Sequence, residues 1–265
     1  MKPAIVETVL AAVLLSGGCA VEEGVDGGNS EATGQAQQAV SALGYWSWGC
    51  TSSCGLPLGT ATDKQQTCFL AGVVGNLQPA GSYSETMVVA TGGHWELDIA
   101  TNGRPLGADV VCVPGAPVAT GVWQSGANEV SLGSGATRRC FLSGVRNTSG
   151  LTEWTDYVQV RQVRGTWYLG GNMTAAKDIL ATAVCVDVPT ASPDYGLVVS
   201  DGWPSTGNLI QDNHAGGWAC GIKKLGGHFT TNDWNDGVWI DYNNGITGWE
   251  LNAVNGKQAA TGCVK

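Results

Sequence analysis

The sequence predicts an all-β protein with three internal repeats in pseudo-threefold symmetry, stapled by disulfides, and three observations lead there. Forty glycines, 11 tryptophans and only 13% charged residues describe many short strands and tight turns, poor in amphipathic helix. A set of tryptophan and cysteine landmarks recurs three times. The cysteines after the first twenty residues are even in number, as paired cysteines are.

The repeat is read from four landmarks in constant order. Trp48, Trp123 and Trp203 precede Cys68, Cys140 and Cys220 by 20, 17 and 17 residues. Trp95, Trp167 and Trp249 follow those cysteines by 27, 27 and 29 residues, and Cys112, Cys185 and Cys263 close each unit 17, 18 and 14 residues later. Such small drift in four landmarks is the signature of repetition, here with a period of about 75 residues. The units run over residues 44–116, 117–190 and 191–265 of one β domain, 44–265. A propeller-like ring, a β-prism and an enlarged β-trefoil all accommodate three such units.

Within a unit, runs such as "CFLSGV", "DYVQVRQV", "TWYLGG" and "ILATAVCVDV" are rich in Val, Tyr, Trp and Leu and broken by Gly, Asn and Thr. Alternation puts Trp167 and Leu169 on one face and Tyr168 on the other; Trp95 with Leu97 and Trp249 with Leu251 repeat the pattern. These pairs are the expected shared core, each indole N–H needing a partner. Glu96, Tyr168 and Glu250 then face outward, as does His94.

Two symmetric disulfide patterns are open: within units (Cys68–Cys112, Cys140–Cys185, Cys220–Cys263) or cyclic between neighbours, with Cys50–Cys54 local in either case. The within-unit set is preferred, because each bridge closes a loop of about 45 residues, worth roughly 4 kcal/mol in the chain-entropy model. Bridged Cα atoms must lie about 5.5 Å apart, whereas the outer strands of a four-strand meander are about 14 Å apart. A unit with such a bridge is therefore not a meander in strand order. Zinc is disfavoured: Cys50 and Cys54 have three residues between them, and no second close pair or neighbouring His follows.

The N-terminus reads as a targeting segment over residues 1–18, with Lys2 ahead of the apolar "VLAAVLLSGG" and small residues before Cys19. This stretch resembles the lipobox of bacterial lipoproteins, which implies lipidation of Cys19; plain signal cleavage before Cys19 is the alternative. Residues 19–43 are acidic and rich in Gly, Ser and Gln, an expected disordered tether. In a two-membrane bacterium, the resemblance and Ala20 after the cysteine imply an outer membrane or cell-surface location.

Functional signals are sparse. A net charge of −9 with no basic run argues against nucleic acid. No G-x-S-x-G, H-E-x-x-H or P-loop pattern occurs. The recurring feature is an aromatic with a nearby acid ahead of the second strand of each unit: Tyr83 and Glu85; Glu153, Trp154 and Asp156; Asp233, Trp234 and Asp236. Aromatic rings stack on the C–H faces of sugars while carboxylates take hydroxyls, so the expected partner is a carbohydrate or surface polymer. Asp233, Asp236 and Asp241 also offer oxygen ligands of the kind calcium accepts, without EF-hand spacing. The leading expectation is a tethered lectin-like or adhesive protein without catalysis, in which linked weak sites gain avidity. A secreted polysaccharide hydrolase or lyase, using His214, His228 and Asp233 of the third unit, is the rival; a structural envelope protein is the third possibility.

Overall fold

The computed structural model describes residues 43–50, 53–58, 66–78, 83–101, 103–147, 151–174, 178–188, 197–199, 208–210, 218–233, 237–243, 248–254 and 256–264. The targeting segment, Cys19, nearly all of the tether, Trp203, His214, Trp234 and Asp236 lie outside them. The described residues form strands and connections without helix. The first unit contributes β1 (Leu43–Cys50), β2 (Ser53–Pro57), β3 (Gln66–Gly75), β4 (Ser84–Thr91), β5 (His94–Ala100) and β6 (Leu106–Pro114). The second contributes β7 (Ala119–Gln124), β8 (Val130–Ser134), β9 (Arg138–Asn147), β10 (Tyr157–Val163), β11 (Thr166–Asn172) and β12 (Ile179–Asp187). The third contributes β13 (Leu197–Val199), β14 (Asn208–Ile210), β15 (Ala219–Gly227), β16 (Gly237–Asn243), β17 (Gly248–Ala253) and β18 (Lys257–Val264).

These strands make three six-stranded sheets, ordered β1-β6-β3-β16-β17-β14, β13-β18-β15-β10-β11-β8 and β2-β5-β4-β9-β12-β7. No sheet belongs to one unit. In each, three strands of one unit meet three of another at an antiparallel seam: β3 with β16, β9 with β4, β15 with β10. The hairpins β4–β5, β10–β11 and β16–β17 are thus lent to the neighbouring sheet.

Lending the middle hairpin leaves the third and sixth strands of each unit side by side, so the cysteines face each other directly. Cys68 pairs in register with Cys112, Cys140 with Cys185 and Cys220 with Cys263, and each pair is bridged at a Cα–Cα distance of 4.0 Å. The within-unit pattern holds, and the inference against a simple meander holds with it. Cys54 is also disulfide-bonded; the side chain of Cys50 is outside the description. Each ladder carries one unmatched residue three positions after Cys68, Cys140 or Cys220: Ala71, Ser143 and Lys223.

The core follows the alternation. Trp95, Trp167, Leu97, Leu169 and Leu251 are buried, and Trp249 packs half-buried against the same cluster. Burial of the Trp95 and Trp167 indoles is tolerated because each N–H finds a carbonyl, two residues before Cys68 and Cys140 respectively. Trp95 Nε1 donates to Gln66 O at 2.9 Å and Trp167 Nε1 to Arg138 O at 3.1 Å.

At the centre β3, β9 and β15 touch one another. The rings of Phe69 and Phe141 stack there at 4.1 Å between centroids and 15° between planes. The residue after the cysteine in β15 is Gly221. A Cβ at that position would run into the Phe69 ring and come within 2.8 Å of Phe141 Cδ1, so two rings fill the space and the third strand must leave it clear.

Candidate functional site

The connections after β3, β9 and β15 carry Tyr83, Glu153, Trp154, Asp156 and Asp233, with Glu85 at the start of β4, and these connections meet at one end. Leu77, Leu151 and Phe229 are buried there. Leu77 N donates to Phe229 O at 3.1 Å and Phe229 N to Leu151 O at 2.9 Å. Asn76 Nδ2 ties in Thr230 O at 3.0 Å and Asn232 Oδ1 at 2.8 Å.

At this end two of the acids serve the scaffold. Glu85 is buried and paired with Arg146 at 2.5 Å, and the Arg146 guanidinium lies 4.9 Å from the ring centroid of Tyr83, which is exposed. Asp156 is fully buried; its carboxylate accepts from Glu153 N at 3.1 Å, from Thr174 N at 2.8 Å and from the Thr174 hydroxyl. The Asp156 carboxylate holds its loop in place, and the Glu85 carboxylate ties β4 to β9 across their seam. Glu153 and Asp233 are exposed and Trp154 is half-buried, its ring centroid 6.4 Å from that of exposed His228. His214, expected beside His228 and Asp233 in the rival catalytic reading, and the Trp234 and Asp236 contributions lie outside the described residues.

A second gathering of chemistry sits on the sheet β1-β6-β3-β16-β17-β14, on the face turned away from the Trp/Leu core. The register sets Asp109 of β6 opposite Gly72 of β3, Gly72 opposite Trp239 of β16, and Trp239 opposite Asn252 of β17. Two residues along the same face, Asp241 pairs with Glu250. Trp46 of β1 stands opposite Asp109 in the ladder. Asp241 is exposed, while Trp239, Glu250 and Asn252 are half-buried. Trp239 Nε1 donates to Asp241 Oδ2 at 2.6 Å, which fixes ring and carboxylate relative to each other.

Asp109 is the deepest member. Its residue keeps some surface, but the carboxyl group is enclosed and leans over Gly72, where a Cβ would run into Oδ2. Burial, and secondarily the charge of Asp241, push its pKa from 3.8 up to about 7. Asp241 is also raised, first by burial and then by Glu250, against the lowering effect of the Trp239 hydrogen bond.

Corresponding ladder positions on the other two sheets show how particular this is. Where this sheet has Asp109, Trp239, Asp241, Glu250 and Asn252, the sheet with β4 and β9 has Thr182, Met87, Val89, Glu96 and Asp98. The sheet with β10 and β15 has Ala260, Gln159, Arg161, Tyr168 and Gly170. Only the first couples a tryptophan to three acids.

Asp241 was expected as a calcium ligand with Asp233 and Asp236; among the described residues no group of three metal-ligating side chains forms. Asp109 escapes the motif reading, yet it leaves a trace. In "ADVVCV" an acid interrupts an apolar strand three residues before a bridged cysteine, where the other units have Thr182 and Ala260. No protein-family model, curated protein or solved structure matches the chain.

Proposed function

We propose that the protein is an exported, lipid-anchored glycan-binding protein without catalysis, whose sugar-contacting surface is the Trp239–Asp241 face of the sheet β1-β6-β3-β16-β17-β14. The observation that carries this reading is the indole of Trp239, half-buried and held by Asp241, on one face with Asp109, Glu250 and Asn252. A ring held flat on a sheet offers a stacking platform, and carboxylates and amides beside it accept and donate to hydroxyls. The three-sheet arrangement, with each unit lending a hairpin to another unit's sheet, supports three copies about a pseudo-threefold axis. The disulfides are consistent with an oxidising compartment outside the cytoplasm.

Screening the purified protein on a glycan array, followed by Trp239→Ala and Asp241→Asn, tests the reading. Binding should fall at least about tenfold in either variant. Loss on Trp154→Ala with Trp239→Ala unaffected would move the site to the loop end and refute this assignment. Metabolic labelling with a fatty acid, lost in Cys19→Ala, tests the anchor.

A second reading rests on Asp109, enclosed on the same face as Asp241 and raised to about 7, since acid–base hydrolysis of glycosides needs one carboxyl held protonated near neutrality and a second carboxyl facing it. Release of reducing ends from a polysaccharide by the wild-type protein, abolished in Asp109→Asn with binding retained, would establish it.

A further inference from the structure

Among the described residues each sheet ends in two edge strands, and an edge leaves the N–H and C=O of every second residue without a ladder partner. Five of these edges carry a feature that discourages further pairing. β13 and β14 are three residues long, β2 ends in Pro57, and the ladders of β1 and β8 are broken by register shifts. β7 has none of these features. Its six residues pair with β12 in unbroken register, it contains no proline, and no charged residue occurs from Val110 to Asn128.

The ladder fixes which groups of β7 face outward. Ser125 N donates to Ile179 O at 2.9 Å, so Trp123, Gly121 and Ala119, in step with Ser125, direct their backbone groups at β12. Thr120 and Val122 direct theirs at the open side, where among the described residues no strand pairs with β7. Both residues are exposed. Val122, at 59%, is the most exposed large apolar residue among those described, and exposed Val118 stands just before the strand. The inner side of β7 is taken by its own chain, since a Cβ on Gly121 would run into Leu132 of β8. A regular, neutral edge with exposed valines is a template for another strand.

We propose that β7 pairs antiparallel with β7 of a second copy of this chain about a twofold axis at Gly121, joining two six-stranded sheets into one continuous sheet. In this register Thr120 and Val122 of one copy exchange N–H···O=C bonds with Val122 and Thr120 of the other, and their β-branched side chains meet across the seam. Gly121 meets Gly121 at the axis, so no side chain opposes another there. The occupant is a second copy because an antiparallel edge is its own complement under a twofold, and the absence of charge removes the like-charge opposition that self-pairing otherwise brings. The contact lies on the sheet β2-β5-β4-β9-β12-β7, not on that of Trp239, and the inference stands apart from the glycan-binding reading.

Sedimentation velocity on the whole chain carrying Cys19→Ala, which takes acyl-mediated association out of the comparison, provides the test. From about 1 μM to about 1 mM the protein should pass from monomer to dimer. Val122→Lys should weaken dimerisation at least about tenfold by setting like charges near the axis, while Val122→Ile preserves it. Val122→Pro removes an N–H that faces away from β12, so a folded monomer is expected. Amide hydrogen exchange gives a readout on the unaltered strand: the N–H groups of Thr120 and Val122 should gain protection as concentration rises, with those of Gly121 and Trp123 unchanged. A monomer at every concentration, or a dimer as tight in Val122→Lys and Val122→Pro as in the parent chain, would overturn the inference. Protection of Thr120 and Val122 that is already complete at the lowest concentration would overturn it too, since the edge would then be covered from within the chain.

Discussion

Asp109 is expensive in its ionised form, and this gives the protein a pH signature. Its pKa is raised from 3.8 to about 7 in the folded protein, so between these values the folded state holds a proton the unfolded chain has released. Stability is highest where the carboxyl is protonated in both states, declines as pH rises above about 4, and levels off above about 7. Asp109→Asn should therefore gain stability on the order of a few kcal/mol at pH 8 and almost none near pH 4, measured by urea unfolding at both. A gain equal at both pH values would contradict the assignment. The central rings supply a second residue-scale prediction: Gly221→Phe should cost about 3 kcal/mol or more, because the space already holds Phe69 and Phe141. Adding Phe69→Gly to it should recover much of that loss in the same assay. Neither residue is legible from a motif. Asp109 shows only as an acid in an apolar strand, and Gly221 only as a departure from "CFL" in the other two units.

At the scale of elements, the bridge between the third and sixth strands is the part of the fold that sequence spacing reveals. A disulfide demands close Cα atoms, and that demand excludes a simple meander before any strand is placed. Replacing Cys140 and Cys185 together by Ala should destabilise the protein by about 4 kcal/mol, read from the denaturation midpoint. Trp167→Phe should cost about 1 to 2 kcal/mol by leaving the Arg138 carbonyl without its donor. The outward position of Glu96, Tyr168 and Glu250 is equally legible, since alternation along a strand dictates it. The partners of the lent hairpins are not. Backbone hydrogen bonds between β3 and β16 or between β4 and β9 involve no particular side chain, so nothing in residue spacing records them. For this reason the proposed binding face, which straddles the β3–β16 seam, is invisible until strands of the first and third units are laid side by side. Two acids illustrate the converse: Glu85 of β4 and Asp156 just before β10 have the residue types of a ligand site, but Arg146 and Thr174 claim them.

For the molecule as a whole, the exchange of hairpins makes the three units interdependent. Each seam joins strands from two units, and the ring of seams closes through β3 and β16. Calorimetry should show one unfolding transition for all three units, and a chain ending at residue 190 should fail to fold, since β3 and β10 would lack β16 and β15. Separate transitions for the units would refute this. The stacked Phe69 and Phe141 opposite Gly221 carry a consequence for any attempt to make the three strands alike. A chain made uniform at this position would either crowd three benzene rings into a socket for two or leave the socket empty, so the packing at the centre requires the three strands to differ.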